Sequence, residues 1–252
     1  MLTDSNTDAG HAVPPINKPN HHRFWLTAFY GSAIGKKAVM AITGIILLGF
    51  VFAHMVGNLK IYLGGSHLDD YGAYLRTMGE PIFPESGLLW IVRVVLILAF
   101  IFHIHSAYTL TRMNQRARTV PYKGGRSYGA ANYAARTMRW SGVIVGLFII
   151  FHLMDITWGW HVVHPGFVDG SPRHNLLQSF SPERWPVAVV YIIANILLGI
   201  HIFHGAWSLF QSLGLNNPRF NMWRRYFAIA FAVIIVVGNV SIPIAVLTGA
   251  VS

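Results

Sequence analysis

The sequence contains no cysteine. A disulfide, a zinc site with cysteine ligands and a cysteine-ligated iron–sulfur cluster are therefore excluded within this chain. Charged residues are also scarce: they form 11% of the chain, whereas soluble domains have about 25%. With 54% hydrophobic residues, this composition argues against an ordinary soluble enzyme and against a disordered chain.

Acidic residues are the scarcer charged class, with 9 Asp and Glu against 19 Lys and Arg and a net charge of +10. Segment 112–139 has many basic residues and no acidic one, whereas segments 63–87 and 163–185 contain both kinds. Because cytoplasmic loops of membrane proteins are enriched in Lys and Arg, this asymmetry predicts a cytoplasmic N-terminus and a C-terminus outside. The same rule explains the positive charge without nucleic-acid binding, so no nucleic-acid partner is expected.

Long hydrophobic runs occupy most of the remaining chain. A hydrocarbon core of about 30 Å requires about 20 helical residues, and five segments reach that length. We therefore expect an all-α integral membrane protein, with a five-helix transmembrane bundle over 37–252, a disordered polar tail at 1–22 and an interfacial segment at 23–36. The five predicted helices are 37–62, 88–111, 140–162, 186–211 and 224–249.

Histidines lie inside four of these five predicted helices. Ionisable side chains in hydrocarbon are costly and commonly functional. For any one histidine, a neutral ring hydrogen-bonded to a neighbouring helix is an equally good explanation, but four helices with histidine favour a shared function. The histidines in question are His54, His103, His105, His152, His201 and His204.

The helical rise places the main candidates at two depths. His54 and His152 lie about 25 Å and about 20 Å from the predicted cytoplasmic edge, whereas His103 and His201 lie about 13 Å and about 15 Å from it. Two imidazoles at one depth on facing helices can hold one haem, whereas zinc needs three or four converging ligands. The depths therefore predict two b-type haems with these four histidines as axial ligands of the iron.

Neighbouring residues are compatible with flat cofactors at these depths. Ala107 and Gly205 each lie four residues after a candidate ligand, on the same helix face, where a small side chain leaves room for a macrocycle. Ordinary packing of small residues between helices is the alternative. His105 lies two residues after His103 and points about 200° away, so both cannot bind one haem.

Six sequence motifs invite comparison with known families, and the runs HGAWSLFQSLG and LT-x2-N-x2-AR within them are quite specific. The six are SAIGKKAVMAITG (32–44), HMVGNL (54–59), LLWIVR (88–93), HIHSAYTLTRMNQRAR (103–118), SGVIVGLFIIFHL (141–153) and GIHIFHGAWSLFQSLGLN (199–216). These motifs resemble the first four helices of the single-chain cytochrome b subunit of bacterial succinate dehydrogenase and fumarate reductase (complex II). The resemblance extends over nearly the whole chain.

This resemblance implies a multi-pass membrane anchor of complex II in a bacterial plasma membrane. In the di-haem branch of the family, one histidine on each of the first four helices binds haem b. By motif these are His54, His103, His152 and His201, with His103 paired with His201 and His54 with His152.

The resemblance also implies partners for this chain. A flavoprotein subunit and an iron–sulfur subunit would dock on the cytoplasmic face, and succinate would be oxidised there, so no dicarboxylate active site is expected in this chain. Electrons would pass to a quinone, expected to be menaquinone, and a higher oligomer is compatible with the family.

One position departs from part of the family. Some of its fumarate reductases have a membrane glutamate two residues before the fourth haem ligand, used for proton transfer, whereas this chain has Gly199 there. Asp155 is the candidate substitute, because a carboxylate one turn after His152 should be paired or proton-active.

A quinone site needs protons as well as electrons, since reduction of quinone consumes two of each. We expect it beside a haem edge, with a proton donor and access to water. The candidates are Ser32 and Lys36 towards the cytoplasm, and Glu80, Glu85, Arg93 and Asp155 towards the outside.

Three other functions are compatible with the sequence. The first is the cytochrome b subunit of another quinone-linked complex, of the hydrogenase or formate dehydrogenase type, and the second is a haem-free quinone-binding anchor. The third is a transporter with a proton relay through the histidines and Asp155. A transporter of that kind should have inverted repeats with broken helices, and no inverted repeat, or repeat of 20–50 residues, is evident.

Overall fold

A computed structural model describes residues 24–117, 129–215 and 217–252. All regular secondary structure in this part of the chain is helical. Five of the described helical segments are long and apolar enough to cross a membrane, which confirms the expected all-α, five-helix membrane architecture. They are Ala33–Leu63, Gly87–Arg116, Thr137–Thr157, Pro182–Ser212 and Asn221–Leu247.

The predicted interfacial segment, 23–36, is divided at Ser32. α1 (Trp25–Gly31) precedes this residue and α2 (Ala33–Asn58) follows it. Ser32 has an extended backbone, and its hydroxyl oxygen accepts a hydrogen bond from the Gly35 amide at 2.9 Å. This side-chain cap satisfies an amide that has no partner inside the helix. The first spanning helix therefore begins before the apolar run from which it was predicted.

Two parts of the predicted organisation lie outside the described residues. One is the polar tail, 1–22, and the other is 118–128, the middle of the basic segment 112–139, which lies between α4 (Gly87–Arg116) and α5 (Gly129–His152). The membrane orientation inferred from these basic residues therefore stays a prediction.

The third spanning helix ends earlier than predicted. α5 continues into a π-helical turn, Leu153–Thr157, and the helix stops there rather than at residue 162. Gly159 follows with a φ of 56°, and a Cβ at this position would overlap the ring of Phe167. A left-handed glycine ends the helix because a side chain would be strained there, and the apolar residues beyond it belong to a loop.

The five spans pack mainly as three neighbouring pairs: α2 with α4, α5 with α7 (Trp185–Ser212), and α7 with α8 (Asn221–Leu247). α7 approaches α8 closely at Gly199, where a Cβ would overlap the side chain of Val236. Small residues allow such close approach between membrane helices. This packing explains a glycine at that position without reference to proton transfer.

One end of the bundle is covered by two short helices, α3 (His67–Thr77) and α6 (Pro172–Ser179). They contact each other, and the Asp69 carboxylate accepts a hydrogen bond from the Arg173 amide at 2.8 Å. A buried apolar cluster beneath them includes Ile61, Leu68, Leu176 and Phe180. This end of the bundle is therefore packed like a soluble domain.

The outward faces of the spanning helices are apolar. On α4, Ile97, Leu98, Ile101 and Phe102 are all exposed. A continuous apolar surface of this kind is unfavourable in water, and a lipid bilayer is the environment that accommodates it. The chain is therefore a multi-pass membrane protein.

Candidate cofactor-binding sites

Two pairs of histidine rings face each other across the bundle. His54 of α2 and His152 of α5 have ring centroids 5.8 Å apart and planes at 90°, and we call them the 54/152 pair. His103 of α4 and His201 of α7 have centroids 6.5 Å apart and planes at 63°, and we call them the 103/201 pair. The structure thus brings together the same partners that helix depth predicts.

The ring separations suit two imidazoles on opposite sides of one metal ion. A metal–imidazole bond is about 2 Å long and each ring centre lies roughly 1 Å behind its nitrogen, which gives a centroid separation of roughly 6 Å. None of the four histidines is classed as fully buried. Among the described residues, no group of three or more His, Asp or Glu could hold a metal ion. Each candidate site therefore offers two imidazoles, one from each helix.

Hydroxyl groups hold the rings of the 103/201 pair. Thr43 Oγ1 lies 3.2 Å from Nδ1 of His103, and Ser141 Oγ lies 3.2 Å from Nδ1 of His201. Thr43 already donates its hydrogen to the Val39 carbonyl at 2.7 Å, and Ser141 donates to a carbonyl at 3.3 Å. Both hydroxyl oxygens can therefore accept a hydrogen bond from the imidazole.

This hydrogen-bond direction has a consequence for metal binding. When Nδ1 carries the proton, Nε2 keeps its lone pair and can coordinate a metal. Ligand histidines in metalloproteins are commonly fixed in this way by a hydrogen bond from the other ring nitrogen. The environments of His103 and His201 therefore favour the tautomer that an axial ligand needs.

Glycines lie beside the rings of the same pair. A Cβ at Gly44 would lie 3.6 Å from Cε1 of His103, and a Cβ at Gly142 would lie 3.4 Å from Cε1 of His201. Any larger side chain at either position would occupy the space next to the imidazole. Glycine at both positions therefore leaves this space free of a side chain.

Aromatic side chains pack on the 54/152 pair. Phe50 stacks on His54 with centroids 5.3 Å apart and planes at 23°. Phe148 contacts His152 with centroids 5.9 Å apart and planes at 37°. Each phenylalanine lies one helical turn before its histidine, so α2 and α5 present the same pattern.

Four of the spanning helices form two halves, α2 with α4 and α5 with α7. The sequences of the two halves are related by an offset of 98 positions. Each half supplies two spanning helices, so both halves cross the membrane in the same direction, unlike an inverted repeat. Each candidate ligand pairs with its own counterpart, as expected when two units are related by a two-fold axis. The matching positions are Thr43 and Ser141, Gly44 and Gly142, Phe50 and Phe148, His54 and His152, and His103 and His201.

This offset is the sequence signal that identifies Thr43 and Ser141, which motif reasoning missed. Each hydroxyl residue precedes its histidine partner by 60 positions. The repeat is longer than the 20–50-residue periods of solenoids and propellers.

A buried polar cluster adjoins His152, and we call it the Asp155 cluster. Asp155 is fully buried and accepts hydrogen bonds from Ser179 at 2.7 Å, Tyr191 at 2.9 Å and Arg184 at 2.9 Å. The Tyr191 hydroxyl also lies 3.3 Å from Nδ1 of His152. The carboxylate is thus two hydrogen bonds from a candidate ligand, and it has no exposed surface for direct contact with quinone.

His164 completes this cluster outside the spanning helices. Its Nδ1 donates to the Asp155 carbonyl at 2.9 Å, while its Nε2 is buried without a partner among the described residues. Burial lowers the pKa of the His164 imidazole below its usual value, although the nearby Asp155 oxygens oppose this effect. A neutral ring is the form that this environment favours.

The two residues predicted to bind quinone near the cytoplasm lie at the junction of α1, α2 and α4. Ser32 caps α2, and Lys36 is almost completely buried with its ammonium group 4.3 Å above the Tyr30 ring. The Tyr30 hydroxyl lies 2.5 Å from Nδ1 of His105. Lys36 and His105 thus contact the same tyrosine, and His105 is turned away from the 103/201 pair.

The remaining quinone candidates do not form a common site. Glu80 and Glu85 are exposed in the segment between α3 and α4. Arg93 is exposed on α4, with its guanidinium 4.9 Å from the Trp90 ring. Their positions are compatible with solvent or headgroup contact and do not single out a pocket.

No protein-family model, no curated protein and no solved structure matches this chain.

Proposed function

We propose that this chain is the haem b-binding membrane anchor of a succinate:quinone oxidoreductase (complex II), which relays electrons between an iron–sulfur subunit and membrane quinone. The observation that carries the proposal is the presence of two histidine pairs with ring separations of 5.8 and 6.5 Å. In the 103/201 pair, hydroxyl oxygens on Nδ1 favour a free lone pair on Nε2.

The residues of both pairs fit bis-histidine ligation. His54 and His152 would hold one haem b, and His103 and His201 would hold the other. A bound haem supplies reversible one-electron transfer. Because two imidazoles of this chain would hold each haem, neither site would be open to a further ligand. The chain's role is to bind, orient and insulate the two centres.

The assignment to complex II is supported by the motif resemblance, which also supplies the proposed partners. A flavoprotein and an iron–sulfur subunit would dock on the cytoplasmic face of a bacterial plasma membrane, where the basic segment 112–139 would lie. The N-terminus would then be cytoplasmic and the C-terminus outside. The cytochrome b subunit of a hydrogenase or formate dehydrogenase complex is the alternative, and the co-purifying partner distinguishes the two.

We place the quinone head group at the junction of α1, α2 and α4, beside the 103/201 pair. Lys36 and His105 could supply hydrogen bonds and protons to quinone oxygens, with Tyr30 between them. Ser32 caps the adjoining helix end. A charge-assisted hydrogen bond to a quinone oxygen is stronger than a neutral one, and Lys36 is the residue that can provide it.

The direct experiment is purification of the tagged chain with its partners, followed by three measurements. They are the reduced-minus-oxidised spectrum, the haem content and the covalent flavin content. We expect a b-type α-band, two haems per chain and a flavin-containing partner. A pigment-free preparation from haem-replete cells would contradict haem binding, whereas two haems with a flavin-free partner would support the hydrogenase or formate dehydrogenase alternative.

A further inference from the structure

The Asp155 carboxylate is enclosed by hydrogen-bond donors from three different parts of the chain. It is fully buried, and three side chains donate to it, from Ser179, Arg184 and Tyr191. A buried charge is tolerated only when such partners compensate for the loss of water. The Asp155 carboxyl group is therefore held at a fixed place beside His152, in contact with Arg184.

The hydrogen bonds of Tyr191 run in one direction. Its hydroxyl has one hydrogen, which it donates to Oδ2 of Asp155 at 2.9 Å. Its oxygen can therefore accept a hydrogen bond, and Nδ1 of His152 lies 3.3 Å away. The chain of donors runs from His152 Nδ1–H to the Tyr191 hydroxyl and on to the Asp155 carboxylate, which leaves Nε2 of His152 free.

The other half of the bundle lacks this arrangement. At the offset of 98 positions, Tyr191 corresponds to Arg93 and Asp155 corresponds to Gly57. Neither an arginine nor a glycine can repeat the tyrosine–carboxylate chain. The hydroxyl partners Thr43 and Ser141, by contrast, occur in both halves. The link to Asp155 is therefore specific to the 54/152 pair and is not required by the fold of each half.

We propose that Asp155 and Tyr191 are positioning residues that fix the tautomer of His152 and increase the electron density of its imidazole. This inference rests on the proposed function, because it concerns His152 as an axial ligand. A carboxylate two hydrogen bonds away stabilises the more positive, oxidised state of the metal that the ring binds. Removing the link should therefore raise the midpoint potential of one centre only.

The test uses the purified complex with Tyr191→Phe and Asp155→Asn, both close to isosteric. Redox titration, electron paramagnetic resonance and haem content are measured together. We expect both haems to be retained, one midpoint potential to shift upwards, and the resonance of that same centre to change. Thr43→Val should alter the other centre instead, and Tyr62→Phe, whose hydroxyl donates to Ser241, should alter neither.

Two results would overturn the inference. One is unchanged potentials in both variants with both haems bound. The other is an equal shift of both centres, which would indicate a general structural effect.

A second measurement does not need a loaded centre. In haem-free protein with ¹⁵N-labelled histidine, His152 should be protonated at Nδ1, and Tyr191→Phe should shift it towards the Nε2–H tautomer. An unchanged tautomer would contradict the inference even if a variant bound haem poorly. If the protein never binds haem but the tautomer of His152 still shifts in Tyr191→Phe, the proposed function is contradicted. The hydrogen bonds from His152 through Tyr191 to Asp155 are then supported independently.

Discussion

Thr43 Oγ1 lies 3.2 Å from Nδ1 of His103, 60 positions later in the sequence. Ser141 and His201 have the same separation in space and in sequence. In both cases a residue on one spanning helix orients a histidine on the next. The hydroxyl contact of each ring in the 103/201 pair therefore lies within one half of the bundle.

Replacing these hydroxyls should weaken the 103/201 site selectively. Thr43→Val or Ser141→Ala removes a neutral hydrogen bond, which contributes about 0.5–1.5 kcal/mol. We expect up to about a tenfold loss of haem affinity at one site, measured by haem titration of the purified complex. Thr109→Val is the matched control, because Thr109 donates to backbone carbonyls of its own helix, α4. Equal losses in the control would contradict the role of Thr43.

Single alanine substitutions of the four candidate ligands should each remove one haem. In the proposed arrangement each of these histidines would supply one nitrogen to one haem, so one loss would leave the other pair intact; the four are His54, His103, His152 and His201. Haem content per chain should fall from two to one. His105→Ala is the control on α4, because His105 forms a hydrogen bond with Tyr30. This variant should keep two haems. A variant of His105 with one haem would show that the pairing is wrong.

Lys36 should matter for quinone and not for haem. Lys36→Ala removes the buried ammonium group above Tyr30, and loss of a charge-assisted hydrogen bond of about 1.5–3 kcal/mol corresponds to at least about a tenfold effect. We expect a higher KM for a soluble quinone analogue with unchanged spectra. Lys37→Ala is the neighbouring control, because Lys37 is exposed. Equal effects of both variants would indicate membrane-surface charge instead.

Gly199 should be needed for packing. Gly199→Ala places a methyl group against Val236 on α8, and overpacking costs about 1–3 kcal/mol. The thermal denaturation midpoint in detergent should fall. Gly49→Ala, with no heavy atom within 4 Å of the added Cβ, should leave the midpoint unchanged or raise it. If Gly199→Ala leaves the denaturation midpoint unchanged, α7 and α8 can move apart without loss of stability.

His164 should make the stability of the folded complex depend on pH. Its pKa is lowered by burial, whereas the unfolded chain binds a proton near pH 6.5. The unfolded state therefore takes up more protons as the pH falls below about 6.5, and folding stability decreases in that range. The denaturation midpoint should drop more between about pH 7.5 and about pH 5.5 in the natural protein than in His164→Gln.

The exposed His161 provides the comparison for this pH effect. His161→Gln should keep the pH dependence of the natural protein, because folding does not bury this ring. If His164→Gln and the natural protein lose stability equally on acidification, the buried imidazole is not the cause.

The amino-acid sequence was sufficient to predict the architecture and the depth of the histidines. Long apolar runs specify spanning helices because lipid leaves backbone groups no alternative partner. The constant rise of a helix converts residue number into depth, so His103 and His201 could be matched from their distances to the helix ends. The depth of a residue follows from its position along its own helix. It can therefore be predicted without knowing which helices are in contact.

The surroundings of each ring, in contrast, follow from the tertiary fold. The contacts of Thr43 with His103, and of Tyr191 with both His152 and Asp155, join different helices, and the rotation of a helix about its axis depends on its packing neighbours. The end of the third span at a π-helical turn likewise depends on Gly159 and Phe167 packing together. Hydropathy records how apolar a residue is, but contacts between helices follow from the shapes of the surfaces that meet.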